Sequence, residues 1–368
     1  MMSIRVNDQS TAANVSHASF DDAVIDRKVL PQFAFPGDIT TDLPHRTSHK
    51  AKLLLARAIG LCRPGRDGYV LGGQELHELR DLVGACHILS DSRDEERPEG
   101  AVLGEQERAF DSFFGLSRGR SPDALAIGIV WGIVATLEEI SYPNALVPAE
   151  TAALMDAFRR LAKLFVPNSS WQTVPAGSDT LMISRHPMER WRNGHTIFVA
   201  ITSGLIFHHL RAIAAIENED FGDCRMALND LCGLFFASAA ALRLTGDMPA
   251  EDYEEVRSIM APPRVPEGFS GLFNCDHRHL LRLTKQLGML LKNERSEISW
   301  ERENYWSALN AAYSSHIAVC TKLVGRMASI ATVSKGQEIP AHEKLEGFAK
   351  RALHLGGYPI RSVGRAPV

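Results

Sequence analysis

Gly194–Ile216 (GHTIFVAITSGLIFHHLRAIAAI) and Phe221–Leu244 (FGDCRMALNDLCGLFFASAAALRL) are long apolar runs separated by only four residues. Strands rarely exceed eight residues, so runs of this length read as core helices. Helical periodicity continues outward on both sides. Ser48–Ile59, Gly73–Leu89, Gly104–Phe114, Pro122–Ile140 and Ala149–Phe165 precede the pair, and Ala250–Met260, Asp276–Asn293, Ser299–Ile330 and Ala341–Leu353 follow it. Ser121 and Pro122 suit an N-cap and a first helical position, and Asp276 suits a cap. Period-2 strands are scarce: Gln172–Val174 and Leu181–Ser184, in the connection Pro167–Asn193, make at most a small hairpin. Residues 1–40 are polar, carry Pro31, Pro36 and Gly37, and show no sustained apolar period. The expected fold is all-α: one helical domain over residues 41–368 preceded by a flexible or loosely docked arm over 1–40.

The 368 residues carry 40 Lys+Arg against 44 Asp+Glu, a net charge of −4 with the signs interspersed. Such a chain has no electrostatic footprint for nucleic acid or an anionic membrane surface. The N-terminus has no apolar h-region, and the most apolar stretch, Ala124–Leu137, is too short to span a bilayer. A cytoplasmic protein is expected. In that compartment Cys62, Cys86, Cys224, Cys232, Cys275 and Cys320 are free thiols, ligands or core residues rather than disulfides. A homodimer is the base-rate expectation for its assembly.

Gly115-Leu116-Ser117-Arg118-Gly119 matches G-x-S-x-G, but it follows a helical segment with no sheet beneath it, so a chance match in a loop is the reading. C-x-x-C, H-E-x-x-H, Walker and G-x-G-x-x-G patterns are absent. His45 and His49 read as a solvated pair. Of the adjacent His208 and His209, one is expected in the core and the other toward solvent.

Tyr313-Ser314-Ser315-His316-Ile317-Ala318-Val319-Cys320 sets His316 and Cys320 one turn apart on one helix face. An imidazole there can bind an iron while the thiol reaches the edge of the same porphyrin and adds to a vinyl group. Core packing of a His and a Cys satisfies the same pattern, and about 0.2 chance occurrences of H-x-x-x-C are expected in such a chain. A second histidine adds weight. Glu294–Ile298 reads as a hairpin turn, and His277 and His316 stand 19 and 20 residues from its centre near Ser296, each roughly 30 Å along an antiparallel element. Helices packed at roughly 8–10 Å leave little room for a flat cofactor between two imidazoles unless they splay at that end.

His277, His316 and Cys320 in this order resemble the H-x(n)-H-x-x-x-C pattern of the haem-dependent 3-methyl-L-tyrosine peroxygenases of saframycin biosynthesis, aromatic hydroxylases of the tryptophan-dioxygenase-like superfamily. The resemblance implies a haem iron with His316 as proximal ligand, one thioether from Cys320, and His277 as distal histidine that ligates the resting iron, then leaves and acts as acid and base. It implies hydrogen peroxide as oxidant and conversion of 3-methyl-L-tyrosine to 3-hydroxy-5-methyl-L-tyrosine. For the substrate carboxylate, the basic loop Arg185–His195 offers Arg185, Arg190 and Arg192; a solvated loop with Trp191 folded onto the core is the plainer account. His279 is given at most a supporting role. Tyr313 either borders the haem or packs in the core, as does Trp306. Three other readings stand beside this one: a haem dioxygenase opening an indole ring with O2, a bis-histidine electron-transfer or sensor protein, and a helical protein without haem.

Overall fold

The computed structural model describes residues 30–61, 76–84, 103–167, 185–292, 296–325, 343, 345–347 and 349–350. The hairpin expected at Gln172–Ser184, most of the N-terminal arm, Cys62 and Cys86 lie outside the described residues. Helices dominate: α1 (Leu43–Arg46), α2 (His49–Leu61), α3 (helical over 76–84), α4 (Glu105–Phe114), α5 (Ala124–Ile140), α6 (Pro148–Lys163), α7 (Pro187–Glu217), α8 (Phe221–Thr245), α9 (Ala250–Ile259), α10 (Cys275–Leu291) and α11 (Ser299–Val324). The fold is all-α, as expected. Its only described strands are β1 (Gln32–Ala34) and β2 (Ser117–Gly119), paired in parallel with Phe33 opposite Arg118.

At the centre runs α7, packed by α8, α5 and α10, while α8 is covered in turn by α11 and α6. Close approach at the α5–α7 crossing requires Gly132, where a Cβ would collide with that of Ala200. Both α7 and α8 are long and apolar enough to cross a bilayer, a length the Ala124–Leu137 stretch lacks. The most apolar windows of α7 and α8 are 78% and 61% buried inside the protein, so the protein's own core takes up most of this apolar surface.

Four expectations are corrected. Residues 32–38, assigned to the arm for want of a period, are built into the core: Phe33 is fully buried against α5. Three-residue strands are too short to carry an alternation signal. Helix α7 starts at Pro187, seven residues before Gly194, because Pro187 occupies a first-turn position and the His186 ring accepts from Met188 N at 3.3 Å. Arg190, Arg192 and His195 are thus helical, not loop residues. The cap of α10 is Asn274, whose side chain accepts from His277 N at 2.8 Å, and not Asp276. Finally, His208 and His209 are both fully buried, since the helices packed on α7 cover both of the faces that carry them.

Burial holds the His208 and His209 imidazoles neutral, with pKa values pushed down to about 4. An unfolded histidine near 6.5 binds a proton that the native one refuses, so this stability is complete above pH 6.5 and is lost as pH falls toward 4. Urea unfolding is expected to show up to about 1.4 kcal/mol lost per pH unit per imidazole across that window. His208→Leu, which deletes one buried imidazole, should make the loss shallower.

Candidate functional site

Helix α10 leans on α7 and α11 leans on α8, rather than on each other. This is the splay that the two-histidine reading requires, and it leaves a cavity of about 300 Å³. Its wall includes His277 from the first turn of α10, His316 and Cys320 from α11, and His195 from α7. Phe110, Phe198, Phe235, Leu280, Leu309 and Leu323 supply much of the remaining surface. Among the described residues that line it, none is an Asp, Glu, Lys or Arg.

His277 is placed by its neighbours. Asn274 fixes the start of the helix, the ring meets Phe198 edge-on at 6.0 Å, and Nδ1 donates to the Gly271 carbonyl at 3.4 Å, which leaves Nε2 with a bare lone pair. Burial lowers its proton affinity. His316 has no hydrogen-bond partner among the described residues. Burial, followed by the neighbouring His277 and His195, brings its pKa down to about 4, so it is a neutral ring with a free lone pair. One turn along, the Cys320 thiol is buried and pushed up to about 12. Tyr313 also lines the cavity; Trp306 does not, being buried against Tyr305 at 4.8 Å. Half-buried His279 meets Arg282 and lies outside the lining.

The three candidate arginines stand elsewhere. Arg185 reaches Glu139 at 3.0 Å and Glu189 at 2.9 Å, and stacks over Tyr142 at 4.7 Å. Arg190 pairs with Glu139 and Asp247 at 3.4 and 3.3 Å. The Arg192 Nε is buried without a hydrogen-bond partner. None of the three lines the cavity. Two groups matter more to the local build: Arg118, passed over in the sequence, and Asp276, read there as a helix cap. Arg118, inside the discarded G-x-S-x-G match, is buried with both Nε and Nη2 on Asp111 at 2.8 Å and Nη1 on Asp276 at 2.7 Å. Asp276, wholly buried, precedes His277 and anchors the turn that presents it. A buried arginine in a three-residue strand has no local pattern by which to be found.

The donor set suits a haem. Among the described residues no three His, Cys, Asp or Glu side chains converge to hold an ion unaided. Two neutral imidazoles facing one apolar cavity fit a metal whose other ligands arrive with it, as porphyrin nitrogens do. The protonated thiol beside them fits addition to a vinyl group.

Comparison with known proteins agrees with this geometry. Residues 38–301 match the family model described as SfmD 3-methyl-L-tyrosine peroxygenase. The chain belongs to that family. The matched stretch takes in His277 and ends before His316 and Cys320. A 3-methyl-L-tyrosine peroxygenase of Streptomyces lavendulae is 28% identical over 266 residues, covering 68% of this chain and 70% of the relative. The crystal structure of reduced SfmD, soaked with sodium hydrosulfite, superposes with a TM-score of 0.57 at 20% identity over 78% of this chain and 96% of that one, which shows that the fold is shared within the family.

Breaking the buried triad by Arg118→Met strands two carboxylates and is expected to cost about 3–5 kcal/mol in urea unfolding. Adding Asp276→Asn should recover part of that loss, since it removes one stranded charge.

Proposed function

We propose that this chain is a haem-dependent peroxygenase that hydroxylates 3-methyl-L-tyrosine at the ring position beside its hydroxyl, giving 3-hydroxy-5-methyl-L-tyrosine. The observation that carries this is the convergence of His277, His316 and Cys320 on one uncharged cavity between splayed helices. His316 would hold the iron: it is neutral and has no hydrogen-bond partner among the described residues. Cys320 would attach the cofactor, its S–H adding across a vinyl double bond so that sulfur takes one carbon and hydrogen the other. Bound haem supplies the two-electron oxidation of the aromatic ring by hydrogen peroxide, and water is the by-product.

His277 would be a second ligand and handle the proton. Its place in the first turn of α10, next to the 3-10 turn Gly271–Phe273, would let the ring turn aside at lower cost than a mid-helix residue. With Nδ1 held by Gly271, Nε2 takes a proton from peroxide and delivers it to the oxygen that departs as water. Because burial keeps this imidazole neutral, it is ready as a base at neutral pH. Arg185 and Arg190, closed onto carboxylates, serve in this reading to hold the start of α7 rather than to bind the substrate carboxylate. From Gln32 onward the described residues act as one catalytic domain, and the cytoplasm is its compartment.

Purified wild-type protein should show a Soret band, and acid–acetone should leave its pigment on the polypeptide but extract it from Cys320→Ala. Under anaerobic conditions with hydrogen peroxide, 3-methyl-L-tyrosine should gain one oxygen. A colourless protein after haem-supplemented expression, or turnover that needs O2 instead of peroxide, would overturn the proposal.

A further inference from the structure

The residues along one wall of the cavity include an acceptor and two donors with no hydrogen-bond partner among the described residues. His195, on the third turn of α7, points Nδ1 at the Trp191 carbonyl at 2.7 Å. A carbonyl only accepts, so Nδ1 carries the hydrogen and Nε2 is left as a bare acceptor with no partner among the described residues. The ring cannot turn away, because it lies flat on Phe114 at 3.8 Å with 14° between the planes. Beside it, 4.8 Å away, is the Trp191 ring, and Tyr253 from α9 stands 5.2 Å beyond that. The Trp191 Nε1 and the Tyr253 hydroxyl are both buried with no hydrogen-bond partner, and all three residues line the cavity. Burial holds His195 neutral, near pKa 4, and holds the Tyr253 phenol protonated.

Unmet buried polar groups are rare and point to a ligand or an ordered water. The combination here selects among ligands. A carboxylate has no hydrogen to give to His195 Nε2, and an ammonium has no lone pair for the Tyr253 and Trp191 donors. A neutral hydroxyl has both. We propose that His195, Tyr253 and Trp191 form the subsite for the phenolic hydroxyl of the substrate: its O–H donates to His195 Nε2, and its oxygen accepts from the Tyr253 hydroxyl and Trp191 Nε1. This rests on the aromatic hydroxylase reading and adds the residues that recognise the phenol. The subsite places the ring carbon beside the hydroxyl in the same chamber as His277 and His316, and it rejects an aromatic amino acid that lacks the hydroxyl by leaving the wall unpaired.

The test is calorimetric titration of the haem-loaded protein with 3-methyl-L-tyrosine and with 3-methyl-L-phenylalanine. Wild type should bind the phenol at least about 10-fold more tightly. His195→Phe keeps a ring against Phe114 but has no acceptor, and is expected to bring the two affinities within about 3-fold while the Soret spectrum is retained. Tyr253→Phe removes one donor and should narrow the preference in part; it decides the matter if His195→Phe does not fold. Equal binding of both amino acids by wild type, or a full wild-type preference in the variants, overturns the subsite and leaves the peroxygenase reading standing. Binding of neither amino acid by wild type overturns both.

Discussion

The Arg118 guanidinium is buried between two carboxylates, and much of the site's geometry hangs on it. Its Nε and Nη2 hold Asp111 of α4, its Nη1 holds Asp276 of α10 and also reaches the Ala34 carbonyl of β1 at 3.3 Å. Three charges removed from water remain tolerable only while all are paired, so the elements carrying them cannot drift apart independently. The two carboxylates keep the guanidinium protonated well beyond its ordinary range. The result is a rigid corner at the N-terminus of α10. Asp276 faces into that corner, and the next residue, rotated about 100° around the helix, faces the cavity. His277 therefore sits on a turn anchored from behind.

That corner also explains how α10 and α11 can be consecutive and yet leave a chamber between them. Each spends its apolar face on a different central helix, α10 on α7 and α11 on α8. The α7–α8 contact, the most extensive in the protein, holds these two supports in place. Near Gly246 the end of α8 comes so close to α11 that a Cβ there would strike Val319, one residue before Cys320. Gly246 and Val319 both line the cavity, so this close contact seals its wall beside Cys320.

The helices were legible in the sequence because a 3.6-residue apolar period is a strong signal over ten or more residues. His316 and Cys320 were legible as a pair because helical spacing alone puts them on one face. The counts of 19 and 20 residues from Ser296 to His277 and to His316 foresaw that both reach one cavity, and the observed splay removed the packing objection. What escaped notice depended on partners distant in sequence. Arg118 finds Asp276 across more than 150 residues, and Tyr253 meets Trp191 from another helix, so no local window contains either relation. The arginines near 190 looked like an anion site because a run of guanidiniums in a loop does; Glu138 and Glu139 on an otherwise apolar helix were the unread counterweight. His208 and His209 were split between core and solvent on helix geometry, and that fails when a helix is enclosed on all sides.

The charged groups thus close on one another outside the cavity: Arg118 with Asp111 and Asp276, Arg185 and Arg190 with Glu139 and its neighbours. Among the described residues the chamber keeps only neutral polar groups, namely imidazoles without their second proton, a protonated thiol, phenols, an indole, serine and threonine hydroxyls and an asparagine amide. In surroundings of low dielectric an ion entering such a space loses hydration that nothing inside replaces, whereas a neutral ring with one hydroxyl loses little. The same burial lowers the proton affinity of the imidazoles, which leaves them lone-pair donors at neutral pH. Charge kept out of the cavity is therefore one condition that serves both tasks: it leaves the histidines free for a metal or a proton, and it favours the neutral phenol ring of a substrate over its charged amino-acid end.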